Sequence, residues 1–270
     1  MVKKFYFLCG LPRAGNTLLS SIINQNPDVA ITANSPVGDM LRFISIFISI
    51  EKNNDVVTGF PDTVSHNNVC KNIIPNYYKD WKQTHIIDRH AWGRLEMFNI
   101  LKKNNSDIKM IILVRDVAEV LASLIKIGKT TNNNFINTNN DTLDKQCDYL
   151  MRDGGMIDLE LASIHNMIKK ENRHMAHFLE YNDLVKNPEK EINAIYDFLD
   201  IPKFKHKYTN LEQFQVNGIK YDDSVFGVDL HTIRTNSIKK ADYNVEDILP
   251  KRIIEKCKAL NIWHKQMMLI

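Results

Sequence analysis

An apolar strand that runs into a glycine turn and then a helix constrains this chain more than any other feature. It occurs in FYFLCGLPRAGNTLLSSIINQNP, Phe5 to Pro27. Phe5 to Cys9 is uninterrupted apolar sequence, Gly10 and Gly15 bracket a short loop, and Leu18, Leu19, Ile22 and Ile23 form one helical face. A strand without polar alternation is covered on both faces, which calls for a parallel sheet with helices packed against it. Gly10, Gly15 and Thr17 hold the glycine and hydroxyl positions of the phosphate-binding pattern G-x-x-x-x-G-K-[ST], but Asn16 stands where that pattern has lysine.

The same unit recurs at MIILVRDVAEVLASLIKIGK, Met110 to Lys129. Met110 to Val114 is continuously apolar, and Val117, Val120, Leu121, Leu124 and Ile125 make the helical face behind it. Further strands are expected at Lys4 to Cys9, Val29 to Thr32, Thr84 to Asp88, Lys109 to Val114 and His174 to Glu180. Further helices are expected at Met156 to Lys170, at Pro188 to Leu199, where proline suits the first turn, and at Val245 to Trp263. Strands alternating with helices predict an α/β fold: a single domain over residues 1–270, with a central parallel β-sheet flanked by helices. Residues 35–80 and 129–141 are weakly patterned. Both follow a sheet element and are expected either to cover a site or, for the Asn run within TTNNNFINTNND, to form a surface loop.

Composition narrows the function classes. A formal net charge of +3 is too mild for a general nucleic-acid surface. The four cysteines include no CxxC pair, so neither a zinc site nor a disulfide framework is expected. No apolar run is long enough for a signal segment or a membrane span. A soluble cytoplasmic protein with no membrane partner is the expectation.

A strand, a glycine turn and a helix N-terminus make an anion site from backbone alone, because unpaired N–H groups and the helix dipole converge on one point. Asn16 cannot supply the charge that a lysine brings to β and γ phosphates. The cation here is Arg13, placed on the loop where it can stabilise charge on a departing oxygen. Arg115 lies at the carboxyl end of a central strand, where open α/β sheets place ligands. Asp116 is positioned to cap the next helix. Ser123 projects away from that helix's apolar stripe, so that Arg115 and Ser123 can converge on a second phosphate.

These residues resemble the sulfotransferase family that uses 3′-phosphoadenosine 5′-phosphosulfate (PAPS) and releases 3′-phosphoadenosine 5′-phosphate (PAP). PRAGNTLL is similar to the family's 5′-phosphosulfate loop P-[KR]-[SA]-G-[TS]-[TS], and RDVAEVLAS is similar to its 3′-phosphate motif. LEYNDLVKNPEKEINAIYDFLDIP resembles its Y-E-D-L stretch and the helix that follows. The resemblance implies a P-loop NTPase-like sulfotransferase fold in which Arg13 stabilises the bridging oxygen. Backbone groups of Ala14, Gly15 and Asn16, with Thr17, would hold the 5′-phosphate between Pro12 and Leu18, and Arg115 with Ser123 would hold the 3′-phosphate. Tyr181 would lie near the adenine. A late basic segment of the family has its counterpart in HTIRTNSIKKA, where Arg234 is favoured over Lys239 and Lys240. No metal is expected, and the acceptor would be a small molecule, a carbohydrate or a peptide.

The acceptor hydroxyl or amine must lose a proton as it attacks sulfur. THIIDRHAWGR resembles the family's K-x-H segment, with Arg89 as a further cation and His90 as the base; an imidazole titrates near neutrality and suits the task. Asp88 is either an alternative base or the group that orients His90. Asp39 stays open by likeness to the tyrosylprotein branch, in which a carboxylate does this work. His85 falls within the strand. Two other classes fit the glycine loop: a P-loop kinase of a small molecule or nucleoside, which Asn16 opposes, and a nucleotide-binding module without turnover.

Overall fold

The computed structural model describes residues 2–49, 55–105, 107–240 and 242–264. Five strands form one sheet: β1 (Lys4–Gly10), β2 (Val29–Ile31), β3 (His85–Arg89), β4 (Met110–Val114) and β5 (Ala176–Glu180). Their order is β2-β3-β1-β4-β5, and every neighbouring pair is parallel. β1 is central, with Phe7 opposite Asp88 on one side and Met110 on the other. All five residues of β4 are fully buried, the reason its sequence carries no polar alternation.

The first helices are α1 (Asn16–Ile23), α2 (Val37–Ser49), α3 (Asp55–Gly59), α4 (Thr63–Tyr77) and α5 (Leu95–Asn104). After β4 come α6 (Val117–Gly128), α7 (Leu143–Met151) and α8 (Met156–Met167), and after β5 come α9 (Tyr181–Lys186), α10 (Pro188–Leu199) and α11 (Lys251–Lys258). The expected face of α6 is confirmed: Val117, Val120, Leu121, Leu124 and Ile125 are all fully buried. Placing those five side chains out of water contributes roughly 1.5 to 3 kcal/mol each. α8 packs on β1, which brings its side chains to the start of the glycine loop.

Three expectations change. Residues 35–80 are largely helical where described, with residues 50–54 outside the described part. Their pattern is obscured because α2 carries apolar side chains on both faces, Leu41 inside and Phe43 and Phe47 outside. α4 is polar and contains Pro75, and buries only Cys70 and Ile74. The helix expected over Val245 to Trp263 shrinks to Lys251–Lys258. Pro250 precedes it with ψ at 150°, and proline pushes the residue before it out of the helical region. The strand expected from His174 begins at Ala176, because Arg173–Met175 is taken by a 3-10 turn.

The Asn run is ordered by its own amides. Asn134 is buried, donates to the carbonyls of Gly128 (2.9 Å) and Thr131 (3.0 Å), and accepts from the N–H groups of Ile136 (2.9 Å) and Asn137 (3.2 Å). Side-chain amides here do the work that a ladder does elsewhere. The loop then braces a later one: Phe135 N–H donates to Phe226 O at 3.1 Å, and Thr131 Oγ1 donates to Gly227 O at 2.8 Å.

Candidate functional site

The carboxyl ends of β1, β3, β4 and β5 open on one cavity of about 420 Å³, a size that suits a nucleotide-sized ligand. Its floor is the turn from β1 to α1. Gly10 has φ 149°, and a Cβ there would sit 2.3 Å from the carbonyl oxygen of Leu113, so only glycine passes this close to β4. Gly15 is the N-cap of α1 at φ 95°, with no side-chain cap. The first-turn N–H groups of α1 are thus left to the cavity, which Gly15, Asn16, Thr17 and Leu18 line. Ala14 is different. It is fully buried and its N–H donates to Leu11 O at 3.3 Å, so it shapes the loop without facing the cavity.

Asn16 has a role of its own. Its Nδ2 donates to Leu11 O at 2.9 Å, tying the helix start back to the loop where the NTPase pattern has a phosphate-binding lysine. Arg13, in the left-handed region at φ 59°, carries the charge. Its Nη1 donates to Leu230 O at 2.5 Å, and its Nε donates to Ser123 Oγ at 3.3 Å. Burial, and next the nearby Arg115, lower its pKa; both favour an anion beside it.

Arg115 at the end of β4 is buried. Its Nε lies 3.0 Å from Glu119 Oε2, its Nη1 donates to Arg13 O at 2.7 Å, and its Nη2 donates to Tyr243 OH at 3.3 Å. The guanidinium stacks on the Tyr181 ring, 4.3 Å from its centroid. Arg13, Ser123, Arg115 and Tyr181, read from three separate segments, therefore meet on one wall. Pro12 lines the cavity beside them, and Arg234, Lys239 and the ring of Tyr221 line its outer rim.

The end of β3 divides its expected residues. Arg89 lines the cavity, with Nη2 3.3 Å from Glu160 Oε1. His90 also lines it; its Nε2 faces Asp39 Oδ1 at 3.7 Å, and its ring fills the space where a side chain at Gly38 would be. Burial is the main influence on His90 and lowers its pKa, with Asp39 opposing. Asp88 is not brought to the cavity. It is buried, accepting from Ser35 Oγ, from Tyr78 OH and from Trp92 Nε1 at 2.8 Å. Strand alternation turns it inward while Arg89 turns out.

Two contributors carried no sequence signal. Glu160 on α8 accepts from the N–H of Gly10 at 2.9 Å, and burial raises its carboxyl to about 7 despite Arg89. The second is the stretch 221–230, which with the nominated basic segment after it supplies much of the cavity wall; no described residue of 35–80 or 129–141 lines it, although the latter braces the wall through Phe226. Among the described residues, no group of three or more His, Cys, Asp or Glu is arranged to hold a metal ion, and no helix is long and apolar enough to cross a membrane.

Solved structures share this fold. The sulfotransferase domain from the curacin biosynthetic pathway superposes with a TM-score of 0.53 at 15% identity, covering 96% of this chain and 97% of that one. A mouse sulfotransferase complexed with PAP gives 0.53 at 13% identity, covering 96% and 82%. A sulfotransferase from Alicyclobacillus acidocaldarius gives 0.50 at 10% identity, covering 83% and 88%. No curated protein sequence matches the chain. The family model for the sulfotransferase domain matches residues 4–225, a span that holds the glycine loop, Arg115, Ser123 and Tyr181; the chain belongs to the sulfotransferase family.

Proposed function

We propose that this protein transfers a sulfuryl group from PAPS to a hydroxyl or amine acceptor, without a metal. One observation carries the reading: an uncapped helix N-terminus, Arg13, and the pair Arg115 and Ser123 converge on a single cavity. The open backbone N–H groups of Gly15, Asn16 and Thr17 suit the 5′-phosphate, and Ser123 with Arg115 suits a 3′-phosphate. Tyr181 offers a ring at the adenine, and Arg234 offers a charge at the rim. PAPS supplies a sulfuryl group already bonded to a good phosphate leaving group. This chain's residues hold the donor, exclude water and neutralise charge on the departing oxygen, for which Arg13 is placed.

Two imidazoles, those of His90 and His231, line the cavity, and the family pattern nominates His90 for the acceptor's proton. Neither kinase chemistry nor a P-loop lysine has support here, since Asn16 is committed to the Leu11 carbonyl. The acceptor side is lined by apolar groups such as Met156 and Phe226, which suits a small organic acceptor better than a highly charged one. The four free cysteines are all buried, in keeping with a reducing cytoplasm.

Thermal unfolding with added nucleotide tests this. PAP at a hundredfold excess over its Kd should stabilise the protein by about 2.7 kcal/mol in the absence of Mg²⁺, while ATP does little because it lacks a 3′-phosphate. Equal or stronger Mg²⁺-dependent stabilisation by ATP would overturn the reading.

A further inference from the structure

The irregular segment after α10 brings a second imidazole to the cavity, and that imidazole is held more firmly than His90. His231 Nδ1 lies 2.6 Å from Asp223 Oδ1, and the His231 backbone N–H donates to Asp223 Oδ2 at 2.8 Å. One carboxylate thus grips both the ring and the main chain of the same residue. Tyr221 covers the ring, with centroids 3.9 Å apart. With Nδ1 donating to a carboxylate, the lone pair belongs to Nε2. Among the described residues no hydrogen bond occupies that nitrogen. The residue before it is tied to the loop cation, since Arg13 Nη1 donates to Leu230 O at 2.5 Å. Imidazole and guanidinium are therefore positioned together, although they lie far apart in the chain.

His90 contrasts with this. Its Nε2 faces the half-exposed carboxylate of Asp39, and its ring is wedged between Trp92 and the backbone at Gly38. At 3.7 Å that carboxylate is beyond hydrogen-bond distance, so packing holds the His90 ring but no hydrogen bond sets which of its nitrogens carries the lone pair.

We infer that His231, oriented by Asp223, is the group that takes the acceptor's proton, in place of His90. The inference rests on the sulfuryl-transfer reading above. As the acceptor oxygen or nitrogen attacks sulfur, its bond to hydrogen breaks and the proton goes to His231 Nε2. The new bond to sulfur forms while the bond from sulfur to the 5′-phosphate oxygen breaks, and that electron pair leaves on the phosphate beside Arg13. Asp223 then stabilises the imidazolium, and is a positioning residue. Burial is the largest influence on His231 and lowers its pKa; Asp223 raises it, and Arg89 and Arg13 lower it further. The ring is thus neutral near pH 7 and ready to accept.

Release of labelled sulfate from PAPS to water needs no knowledge of the acceptor and reads the same proton transfer. It should be timed from pH 5 to 9 for the wild type and for His231→Gln, Asp223→Asn and His90→Gln, each first checked for a PAP-induced rise in thermal midpoint. His231→Gln should lower the rate by roughly 10² to 10⁴ and abolish the acidic limb of the profile. Asp223→Asn should keep an acidic limb but move it to lower pH, because the group that raises the imidazole pKa is gone, and Asp223→Glu should restore part of the shift. His90→Gln should keep the limb whatever its rate. In ¹⁵N NMR of the PAP complex at pH 8, His231 should carry its proton on Nδ1. A His231→Gln protein with the wild-type limb and rate would overturn the assignment, as would an Nε2-protonated His231. If His231→Gln fails to fold, or if release is too slow to time, the tautomer decides. A wild type that neither responds to PAP nor releases sulfate refutes the sulfuryl-transfer reading itself, whereas intact PAP response and release with an unaffected His231→Gln refute only the base.

Discussion

The two strand-to-helix turns at the centre of the sheet solve the same problem in opposite ways. At the start of α6 every early N–H has a protein partner: Asn261 Oδ1 accepts from Val117 at 2.9 Å, and Asp116 Oδ1 accepts from Ala118 at 2.9 Å and Glu119 at 3.2 Å. At the start of α1 the N-cap is Gly15, which has no side chain to offer. The capped helix contributes side chains to the site, Arg115 just before its N-cap and Ser123 on its cavity-facing flank. The uncapped helix contributes backbone. An anion is needed only where the protein has left its own donors open, so under the proposed function the uncapped turn is the end that would take the 5′-phosphate.

Five changes break or sharpen that comparison, taken from the largest expected effect. Arg13→Ala removes the only charged side chain of the uncapped turn; single-turnover transfer should slow by about 10² to 10³, roughly 3 to 4 kcal/mol of transition-state stabilisation. A rate within a factor of three of wild type would place the leaving-group charge elsewhere.

Glu160 is the exception to the open turn, since it takes the N–H of Gly10. Its carboxyl is raised from 4.5 to about 7, with burial the main cause. The folded state therefore holds a proton that the unfolded state releases, and this contribution to stability, complete below pH 4.5, is lost as pH rises to about 7. Relative to Glu160→Gln, the wild type should lose about 3 kcal/mol between pH 4 and pH 8. Parallel urea-denaturation profiles for the two proteins would show that Glu160 titrates normally.

Arg115→Ala should weaken PAP binding by about 2 to 3 kcal/mol, the worth of a charge-assisted contact, and Ser123→Ala by less. Calorimetry with adenosine 5′-phosphosulfate, which lacks the 3′-phosphate, is the control: if both ligands lose affinity equally, the capped turn does not read the 3′-phosphate. The smallest effect belongs to Asp116→Ala. Loss of the cap should cost about 1 kcal/mol of stability and leave PAP affinity unchanged, and a matching loss of affinity would mean that the capped turn also binds through its backbone.

Both units were legible because their signals are local. Glycine where φ is positive or backbones nearly touch, the apolar run of Met110 to Val114, and the face from Val117 to Ile125 are read within a few residues of chain. α2 was not legible as to which side packs inward, because its apolar residues extend beyond the buried stripe to the exposed Phe43 and Phe47. Of the residues at the end of β3, the sequence nominated Asp88, Arg89 and His90 together. It could not tell that the carboxylate turns into the core to meet Tyr78 and Trp92.

By itself, then, the sequence determined a parallel α/β sheet, the glycine loop with its arginine, and the Arg115 and Ser123 pair, since each depends on spacing within one segment. Tertiary structure decided what closes around them. Glu160 reaches Gly10 across 150 residues of chain, and Arg13 reaches Leu230 across 217, which sets His231 and Asp223 beside the loop cation. Those contacts follow from how α8 and the late irregular segment pack over the strand ends. No local propensity encodes a distance between residues so far apart; only the burial of the shared core fixes it.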